Sequence, residues 1–371
     1  LRESIADPDY IRRLARELLV ENSHRVTLVM APDKSLSARR NQAERERLAA
    51  IKADLDEQRE AAVVKLAADL QQRQQQEDDE SILPKVALAD VPANLPELEY
   101  TETGASGIRS TRYAQGTNGL VYQQVISPLP ALTPEQLAVL PHYAAVLTEL
   151  GVGNDSYLDT QHRQSATVGS FNAFTSMRGK VDDEQSIDAH LVLSSKALAR
   201  NADAQVALMR STHQHVRFDE ADRIRDLVSQ QRARREQSIT GNGHGLAMAA
   251  ACAGMSPLAA LNHELSGLGG VRRLRQLDDS LREAPQREAF ARALGDVHER
   301  VIDMPVQLLT IADTEHITDA GDAALSAWAG SPGEITSAAF SREPVRETRR
   351  QLWVENTQVN FCARAYPTVS S

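Results

Sequence analysis

Ten histidines are the residues of this sequence that could ligate a metal ion, so a zinc-dependent hydrolase is the first chemistry to consider. A helical zinc site needs two histidines four residues apart, so that both rings share one face with a carboxylate base between them. His213 and His215 are only two residues apart, so their rings diverge on a helix and we expect a solvated helix end there. Two His-Glu pairs begin the zinc pattern but lack the second histidine, His263-Glu264 and His298-Glu299. The chain therefore holds no zinc motif of its own, in either the H-E-x-x-H or the H-x-x-E-H order.

Other catalytic motifs are incomplete as well. Gly179-Lys180 would suit a phosphate-binding loop only if position 174 were glycine, and that residue is Phe174. No G-x-S-x-G nucleophile elbow occurs. Three glycine-rich segments fail to complete the dinucleotide-binding pattern G-x-G-x-x-G, at residues 151–153, 241–245 and 267–270. From motifs alone we assign no catalytic, cofactor-binding or metal-ligating residue to this chain.

Composition and charge narrow the classes of function. The 371 residues carry 41 Lys and Arg against 51 Asp and Glu, and this net charge of -10 argues against binding to nucleic acid or to an anionic membrane. No run approaches the roughly 18 consecutive apolar residues of a membrane span. Two cysteines, Cys252 and Cys362, are too few for a disulfide framework and favour a reducing compartment. The chain begins with Leu1 rather than Met, so we expect an internal piece of a longer polypeptide.

The first 80 residues predict no complete domain. Apolar residues recur at helical spacing after Asp9, and residues 24–30 are rich in Val, Leu and Thr, as in a strand. One helix and one strand cannot bury a core, so we expect residues 1–35 to be the end of a preceding α/β domain. Residues 36–80 are highly charged and contain two apolar seams separated near Asp54. This pattern predicts two helices folded as a hairpin.

The remaining sequence predicts one large domain between two linkers. Residues 81–102 contain three prolines, which favour an extended linker. Residues 103–330 contain predicted strands and then many helices, which indicates an α+β fold with helices packed on one face of a largely antiparallel sheet. Residues 331–351 are expected to form a second linker. Residues 352–371 are expected to start a further domain with a strand.

The strand expected at residues 186–193 provides a candidate site for peptide contact. Along it, apolar residues alternate with a series that includes Asp188 and His190, so one face is apolar and the other is mixed. Together with Asn172 on the neighbouring strand, these two residues are candidates for contact with an extended peptide. The alternative is that the three polar side chains only face water. A peptide added along a free sheet edge would bind through its backbone, with little preference for sequence.

Six short segments occur in an order that is more specific than any one of them. They are HRVTLVMAPD at 24–33, TNGLVY at 117–122, LTELGVG at 147–153, SKALARN at 195–201, LVSQ at 227–230 and NTQVNF at 356–361. With the charged helical stretch after the first segment, this series resembles the presequence-protease branch of the insulinase-like, or pitrilysin-like, zinc metallopeptidases. The resemblance covers almost the whole chain.

The resemblance implies a longer parent protease of four α+β domains, arranged as two halves around a chamber. It implies that residues 1–35 end the second domain and that 36–80 form a hinge hairpin linking the halves. Residues 103–330 would then be a catalytically silent third domain, and 352–371 the start of the fourth. The implied cofactor is zinc, bound in the first domain of the parent and not by this chain. The implied partners are unfolded or targeting-type peptide substrates and the zinc-bearing N-terminal half of the same parent chain. The implied compartment is the cytoplasm in a bacterium or an organelle matrix in a eukaryote.

The predicted third domain can be compared with the zinc domain to which the resemblance relates it. Aligning residues 153–157 with the Gly-x-x-x-Tyr segment that follows the family's zinc motif places Ala144, Leu147 and Thr148 at the positions of the two histidines and the glutamate. Ala and Leu side chains carry no lone pair, and one Thr cannot hold Zn²⁺. The resemblance therefore implies a helix that keeps its shape without its metal chemistry.

Two alternatives to this interpretation stay open. In the first, the parent is itself a catalytically silent family member that acts as a scaffold or partner subunit. An H-x-x-E-H motif upstream in the parent would favour the peptidase, and its absence would favour the scaffold. In the second, these residues are a self-sufficient enzyme, which predicts zinc-dependent peptide cleavage by this chain alone.

Overall fold

The computed structural model of the chain describes residues 4, 6–31, 33–76, 82–92, 94, 97–105, 107–332, 338–354 and 359–367. These residues fall into two compact units, the first within residues 1–94 and the second within residues 95–371. Each unit is described by itself. Among the described helices, none combines the length and the apolar character that crossing a bilayer requires.

The regular structure of the first unit is helical. Helix α1 (Tyr10–Ala15) continues into a π-helical turn, and two long helices follow, α2 (Leu36–Ala53) and α3 (Glu57–Gln75). The carboxylate of Asp56 accepts the Arg59 N–H at 2.8 Å and caps α3, because the first N–H groups of a helix have no partner within it. Two helices are thus present where the sequence predicts them, although residues 77–80 lie outside the described part. Their role as a hinge stays a prediction.

The apolar residues of α2 and α3 are exposed within this unit. Their side chains are between 47% and 65% exposed: Leu48, Ile51, Val63, Val64, Leu66 and Leu70. Neither helix contains a buried residue. The two apolar seams therefore find no core among the described residues of the first unit.

The strand predicted at residues 24–30 is wrong for this chain. Residues 24–31 have no regular secondary structure, and Val26, Val29 and Met30 are each more than 80% exposed. A strand is held by hydrogen bonds to a neighbouring strand. No described strand pairs with this segment, and high β-propensity alone does not form a strand.

The second unit is built on one six-stranded sheet. The strands lie in the order β1-β2-β6-β3-β5-β4, in which β2 and β6 pair in parallel and every other neighbouring pair is antiparallel. Strand β1 begins inside the predicted linker 81–102, so that linker is shorter than expected. The bounds are β1 (Thr101–Ala105), β2 (Ile108–Ala114), β3 (Leu120–Pro128), β4 (Ser170–Gly179), β5 (Ile187–Leu198) and β6 (Gln307–Ala312).

The helices of this unit bury one face of the sheet. Val125, Leu193 and Leu308 occupy one row across β3, β5 and β6, and each is at most 3% exposed. Side chains alternate along a strand, so the residues between them point to the other face, which is more exposed. The helices are α4 (Pro134–Val146), α5 (Tyr157–Thr167), α6 (Ala202–His215), α7 (Ala221–Gly241), α8 (Gly243–Cys252), α9 (Pro257–Leu265), α10 (Leu268–Ser280), α11 (Ala284–Ile302) and α12 (Ile317–Trp328). The predicted α+β fold is confirmed.

Helix α4 begins as its sequence predicts. The Thr133 hydroxyl accepts the Gln136 N–H at 3.3 Å, the Gln136 side chain accepts the Thr133 N–H at 3.1 Å, and Pro134 takes the first helical position. This reciprocal cap satisfies two N–H groups. Proline is favourable at the first helical position because an N–H there would have no partner within the helix. The cap fixes the start of the helix that carries Ala144.

The segment after α12 is hydrogen-bonded to two loops of the second unit. The Phe340 N–H donates to the Leu129 carbonyl at 2.9 Å, and the Glu347 N–H donates to the Gly254 carbonyl at 2.8 Å. The strand expected after residue 352 is absent from the described residues 352–354 and 359–367, and residues 355–358 lie outside the described part.

Candidate functional site

The three candidate contact residues lie on one face of the sheet, on its two outermost strands at one end of the strand order. Asp188 of β5 stands opposite Arg178 of β4, and Asn172 of β4 stands opposite Ser194 of β5. Opposite residues of an antiparallel pair point to the same face, so Asp188, His190 and Asn172 share it. Asn172 lies two rows beyond His190, a distance of about 14 Å at about 3.4 Å per residue. The structure thus brings Asp188 and His190 together and leaves Asn172 apart from them.

Asp188 and His190 line an open groove of about 650 Å³ at one end of β4. The Lys180 Nζ atom lies 3.9 Å from the Asp188 Oδ1 atom, and both side chains are about half exposed. Water screens such an ion pair strongly, so each charge stays available to a ligand. The groove is also lined by Ser176, Arg178, Gly179, Val181 and Asp182. The groove thus presents two cationic and two anionic side chains.

The groove is one end of a larger surface, which we call the open face. It is the side of the sheet opposite the helices, and it mixes apolar and amide side chains. The Gln124 Nε2 atom donates to the Ser194 hydroxyl at 3.4 Å, while Phe174 and Tyr122 are 39% and 38% exposed. Four aliphatic residues lie on the same face: Ile126, Val192, Leu309 and Ile311. The sequence reasoning missed the residues of β3 and β6, whose alternating burial is visible only in the structure.

The three residues that the resemblance aligns with the family's zinc motif, Ala144, Leu147 and Thr148, do not form a set of metal ligands. Ala144 and Leu147 are 5% and 0% exposed and lie in the main hydrophobic core. The Thr148 carbonyl accepts the Gln164 Nε2–H at 2.9 Å. Two of the three side chains are hydrocarbon, so this set of donors does not fit Zn²⁺. Among the described residues, no group of three or more His, Cys, Asp or Glu side chains is placed to hold a metal ion.

The expected solvated helix end at His213 and His215 is wrong for His213. That side chain is 4% exposed and lies edge-on to Trp328, with ring centroids 4.9 Å apart, whereas His215 is exposed. Burial, with smaller contributions from His298 and Arg210, lowers the pKa of His213 to about 3. The neutral ring therefore acts as a core side chain. Its burial depends on α12, which follows α6 far along the chain.

Comparison with known proteins places this arrangement in a family. The family model described as Peptidase M-16C associated matches residues 30–277. Presequence protease 1, chloroplastic/mitochondrial, of Arabidopsis thaliana is 25% identical over 360 residues, which are 95% of this chain and 33% of that protein. The mitochondrial presequence protease of Xenopus tropicalis is 25% identical over 299 residues, which are 80% of this chain and 28% of that protein. The chain thus spans about a third of the length of these relatives.

Among solved structures, the first half of the periplasmic protease PqqL from Escherichia coli aligns with a TM-score of 0.44 and 15% identity, over 70% of this chain and 51% of that one. The family model covers most of the chain, and the resemblance to the presequence-protease branch is confirmed. The chain belongs to the Peptidase M-16C associated family.

Proposed function

We propose that this chain is the non-catalytic middle portion of a zinc metalloendopeptidase that degrades unfolded or targeting-type peptides in an enclosed chamber. The observation that carries the proposal is the open face, the side of the sheet that the described helices of the second unit leave more exposed. The names of the relatives support it, since they are presequence proteases. In this proposal the open face forms part of the chamber wall, and α2 and α3 form the hinge between two halves.

The chemistry of the open face suits an unfolded peptide. Half-buried aliphatic side chains such as Leu309 and Ile311 offer apolar contacts, and Gln124 offers an amide donor and acceptor beside them. At the groove, Arg178, Lys180, Asp182 and Asp188 provide both signs of charge. A surface that mixes all three kinds of group can contact peptides of varied sequence, because no single side chain dominates binding. Asn172, Asp188 and His190 are proposed to contact the peptide there.

The peptide bond is proposed to be cleaved elsewhere in the parent. Zinc held by the N-terminal half would polarise the scissile carbonyl and lower the pKa of the attacking water. Ala144, Leu147 and Thr148 do not fit the metal, so in this proposal the chain contributes binding surface and no ligand. Its partner in catalysis is the zinc-bearing half of the same parent chain.

The proposed compartment follows the relatives, whose names place them in mitochondria or chloroplasts. For this chain we propose an organelle matrix if its source is eukaryotic and the cytoplasm if it is bacterial. The two cysteines, both free thiols, are compatible with either reducing environment.

Hydrolysis of a quenched fluorescent peptide tests the proposal. The parent containing this sequence should cleave the peptide, a zinc chelator should stop the reaction, and added zinc should restore it. The 371-residue chain alone should show no cleavage under the same conditions. In the parent, Leu309→Asp should raise KM for the peptide, because a carboxylate would replace an apolar contact on the open face. Arg292→Ala, at an exposed position of α11, is the matched control and should leave KM unchanged.

Three results would contradict the proposal. A parent that binds peptides without zinc-dependent hydrolysis would identify a scaffold instead. Cleavage by the 371-residue chain alone would place a catalytic centre within it. An unchanged KM for Leu309→Asp would remove the open face from the chamber wall.

A further inference from the structure

The outer edge of β4 is an unpaired strand edge of unusual length. β4 has ten residues and stands last in the strand order, so within the described residues it pairs only with β5. Every strand carries hydrogen-bonding groups along both edges. The N–H and C=O groups on the edge of β4 away from β5 therefore pair with no described strand.

The register identifies which groups point outward. The Lys180 N–H donates to the Ser186 carbonyl at 3.1 Å, and bonded pairs alternate along an antiparallel ladder. The even-numbered residues of β4 therefore bond to β5. The odd-numbered residues direct both their N–H and C=O groups to the free edge: Phe171, Ala173, Thr175 and Met177. From Phe171 to Met177 this edge is about 20 Å long at about 3.4 Å per residue.

The β4 edge lacks the features that usually protect a strand from pairing. Proteins block free edges with proline, charged side chains or very short strands. Between Ser170 and Met177 there is neither a proline nor a charged residue, and Phe171, Phe174 and Met177 are large and apolar. The opposite edge of the sheet is different, because β1 has only five residues and includes Glu102 and Gly104. The β4 edge is therefore the better suited of the two to accept another strand.

We propose that the outer edge of β4 binds an unfolded peptide as a seventh, antiparallel strand of the sheet. The proposal rests on the proposed function, which makes unfolded peptides the substrates. An extended backbone matches the outward N–H and C=O groups in spacing and polarity. An unfolded peptide has those groups free, whereas a folded protein has mostly paired them internally.

The position of the edge agrees with this occupant, because β4 also borders the open face. Alternate side chains of the added peptide would lie beside Asn172, Phe174 and Arg178 on that face. One end of the peptide would reach the groove at Asp188 and Lys180, where side chains of either charge find a partner. The backbone supplies most of the affinity, so many sequences can bind. Asn172, which lies apart from the groove, borders the peptide in this arrangement.

Fluorescence anisotropy with the 371-residue chain tests the edge directly. The probe is a fluorescein-labelled peptide of about 15 residues, of mixed sequence and without stable secondary structure. Thr175→Pro removes one outward N–H without taking a hydrogen bond from β5, and proline is tolerated at such edge positions. We expect this variant to bind the probe about fivefold more weakly or worse, the loss expected for one hydrogen bond and a blocked approach. Thr175→Val keeps the N–H and the side-chain volume, and should bind as the wild type does.

A second measurement needs no variant of the protein. The same peptide, N-methylated at every residue, cannot donate a backbone hydrogen bond from either of its edges and should bind about tenfold more weakly than the unmodified probe, or worse. Hydrogen exchange of residues 170–179 should slow when the unmodified probe binds.

Equal binding of the methylated and unmodified probes, or of Thr175→Pro and Thr175→Val, would overturn the proposal. So would saturable binding with no change in exchange on β4. Zinc-dependent hydrolysis by the parent is measured separately. If the binding tests at β4 are negative while the parent hydrolyses the peptide, only this inference is rejected. If the wild-type parent shows no hydrolysis, the proposed function is rejected.

Discussion

The Tyr143 hydroxyl lies 2.9 Å from the Nδ1 atom of His298, in a hydrogen bond that joins α4 to α11 inside the core. The two side chains are 1% and 7% exposed, and Phe218 packs on the histidine ring with centroids 5.4 Å apart. Burial raises the pKa of Tyr143 and lowers the pKa of His298 to about 4, because the charged forms would lose their hydration. Both groups are therefore neutral near pH 7. Helix α4 is therefore joined to α11 by an uncharged pair.

Acidification should destabilise the chain because its buried histidines resist protonation. In the folded chain the pKa of His298 is lowered to about 4 and that of His213 to about 3, while the unfolded values are about 6.5. Below pH 6.5 the unfolded state binds protons that the folded state does not. The free energy of unfolding therefore decreases as the pH is lowered. At pH 5 each of these two histidines should lower the free energy of unfolding by about 2 kcal/mol relative to its value at pH 7.5. Urea denaturation at pH 7.5, 6 and 5 measures this loss.

The control is His213→Phe, which keeps an aromatic ring against Trp328 and removes the titrating group. Between pH 7.5 and pH 5 this variant should lose about 2 kcal/mol less unfolding free energy than the wild type loses. Carboxylates titrate mainly below this range, so they contribute little to the difference. A wild-type slope equal to the variant slope would show that His213 is not buried as described.

Leu147→Ala should destabilise the second unit by about 2–5 kcal/mol, because it leaves a cavity in a fully buried position. If the residue were instead a remnant of a solvent-facing site, truncation would cost little. Thermal or urea unfolding of the chain measures the change. Leu158→Ala is the matched control, since Leu158 is 52% exposed and should lose less than about 0.5 kcal/mol. Equal stability of the two variants would remove Leu147 from the core.

Asp313→Ala should loosen the turn between β2 and β3. Its carboxylate accepts the N–H groups of Thr117, Asn118 and Gly119 at 2.7, 3.2 and 2.6 Å, and these bonds lower its pKa. Asn118 and Gly119 both have positive φ, so the turn depends on this support. We expect a loss of about 1–3 kcal/mol in unfolding free energy. Asp296→Ala, at an exposed position of α11, should change stability by less than about 0.5 kcal/mol. A turn variant as stable as this control would contradict the assigned role.

Local patterns were enough to predict much of the second unit. The alternation of Ile187, Ala189 and Leu191 with polar residues predicted β5, because this signal acts within a few residues. The same reasoning placed Asp188, His190 and Asn172 on one face. The same reasoning could not predict the pairing of β3 with β6. Residues far apart in sequence form that pair, which completes the open face.

The failures have the same physical origin. Residues 24–30 have strand propensity but no neighbouring strand among the described residues, and propensity alone does not hold a strand. β1 is exposed along its whole length, so it lacks the apolar alternation that marks a half-buried strand. His213 is covered by Trp328 of a later helix, which no local pattern reveals. Each error concerns a partner that lies elsewhere in the chain.

Gly321→Ala should destabilise α12 even though alanine is the better helix former. Arg112 is 7% exposed beneath α12 and pairs with Asp322 at 2.8 Å. A Cβ atom on Gly321 would overlap the guanidinium of Arg112, so the arginine must shift, and because it is buried we expect the shift to break the ion pair. A buried cation that loses its partner is costly, and this loss exceeds the gain of up to about 1 kcal/mol in helix propensity. We expect a net loss of about 1–3 kcal/mol in unfolding free energy.

A double-mutant cycle separates this overlap from a general effect of alanine. Arg112→Met removes the guanidinium, so adding Gly321→Ala to it should cost less than adding Gly321→Ala to the wild type, with a coupling of about 1 kcal/mol or more. Gly116→Ala has open space at its Cβ position and serves as the control for the substitution itself. Additive effects in the cycle would mean that Arg112 and Gly321 do not touch, and would contradict the packing of α12 on β2.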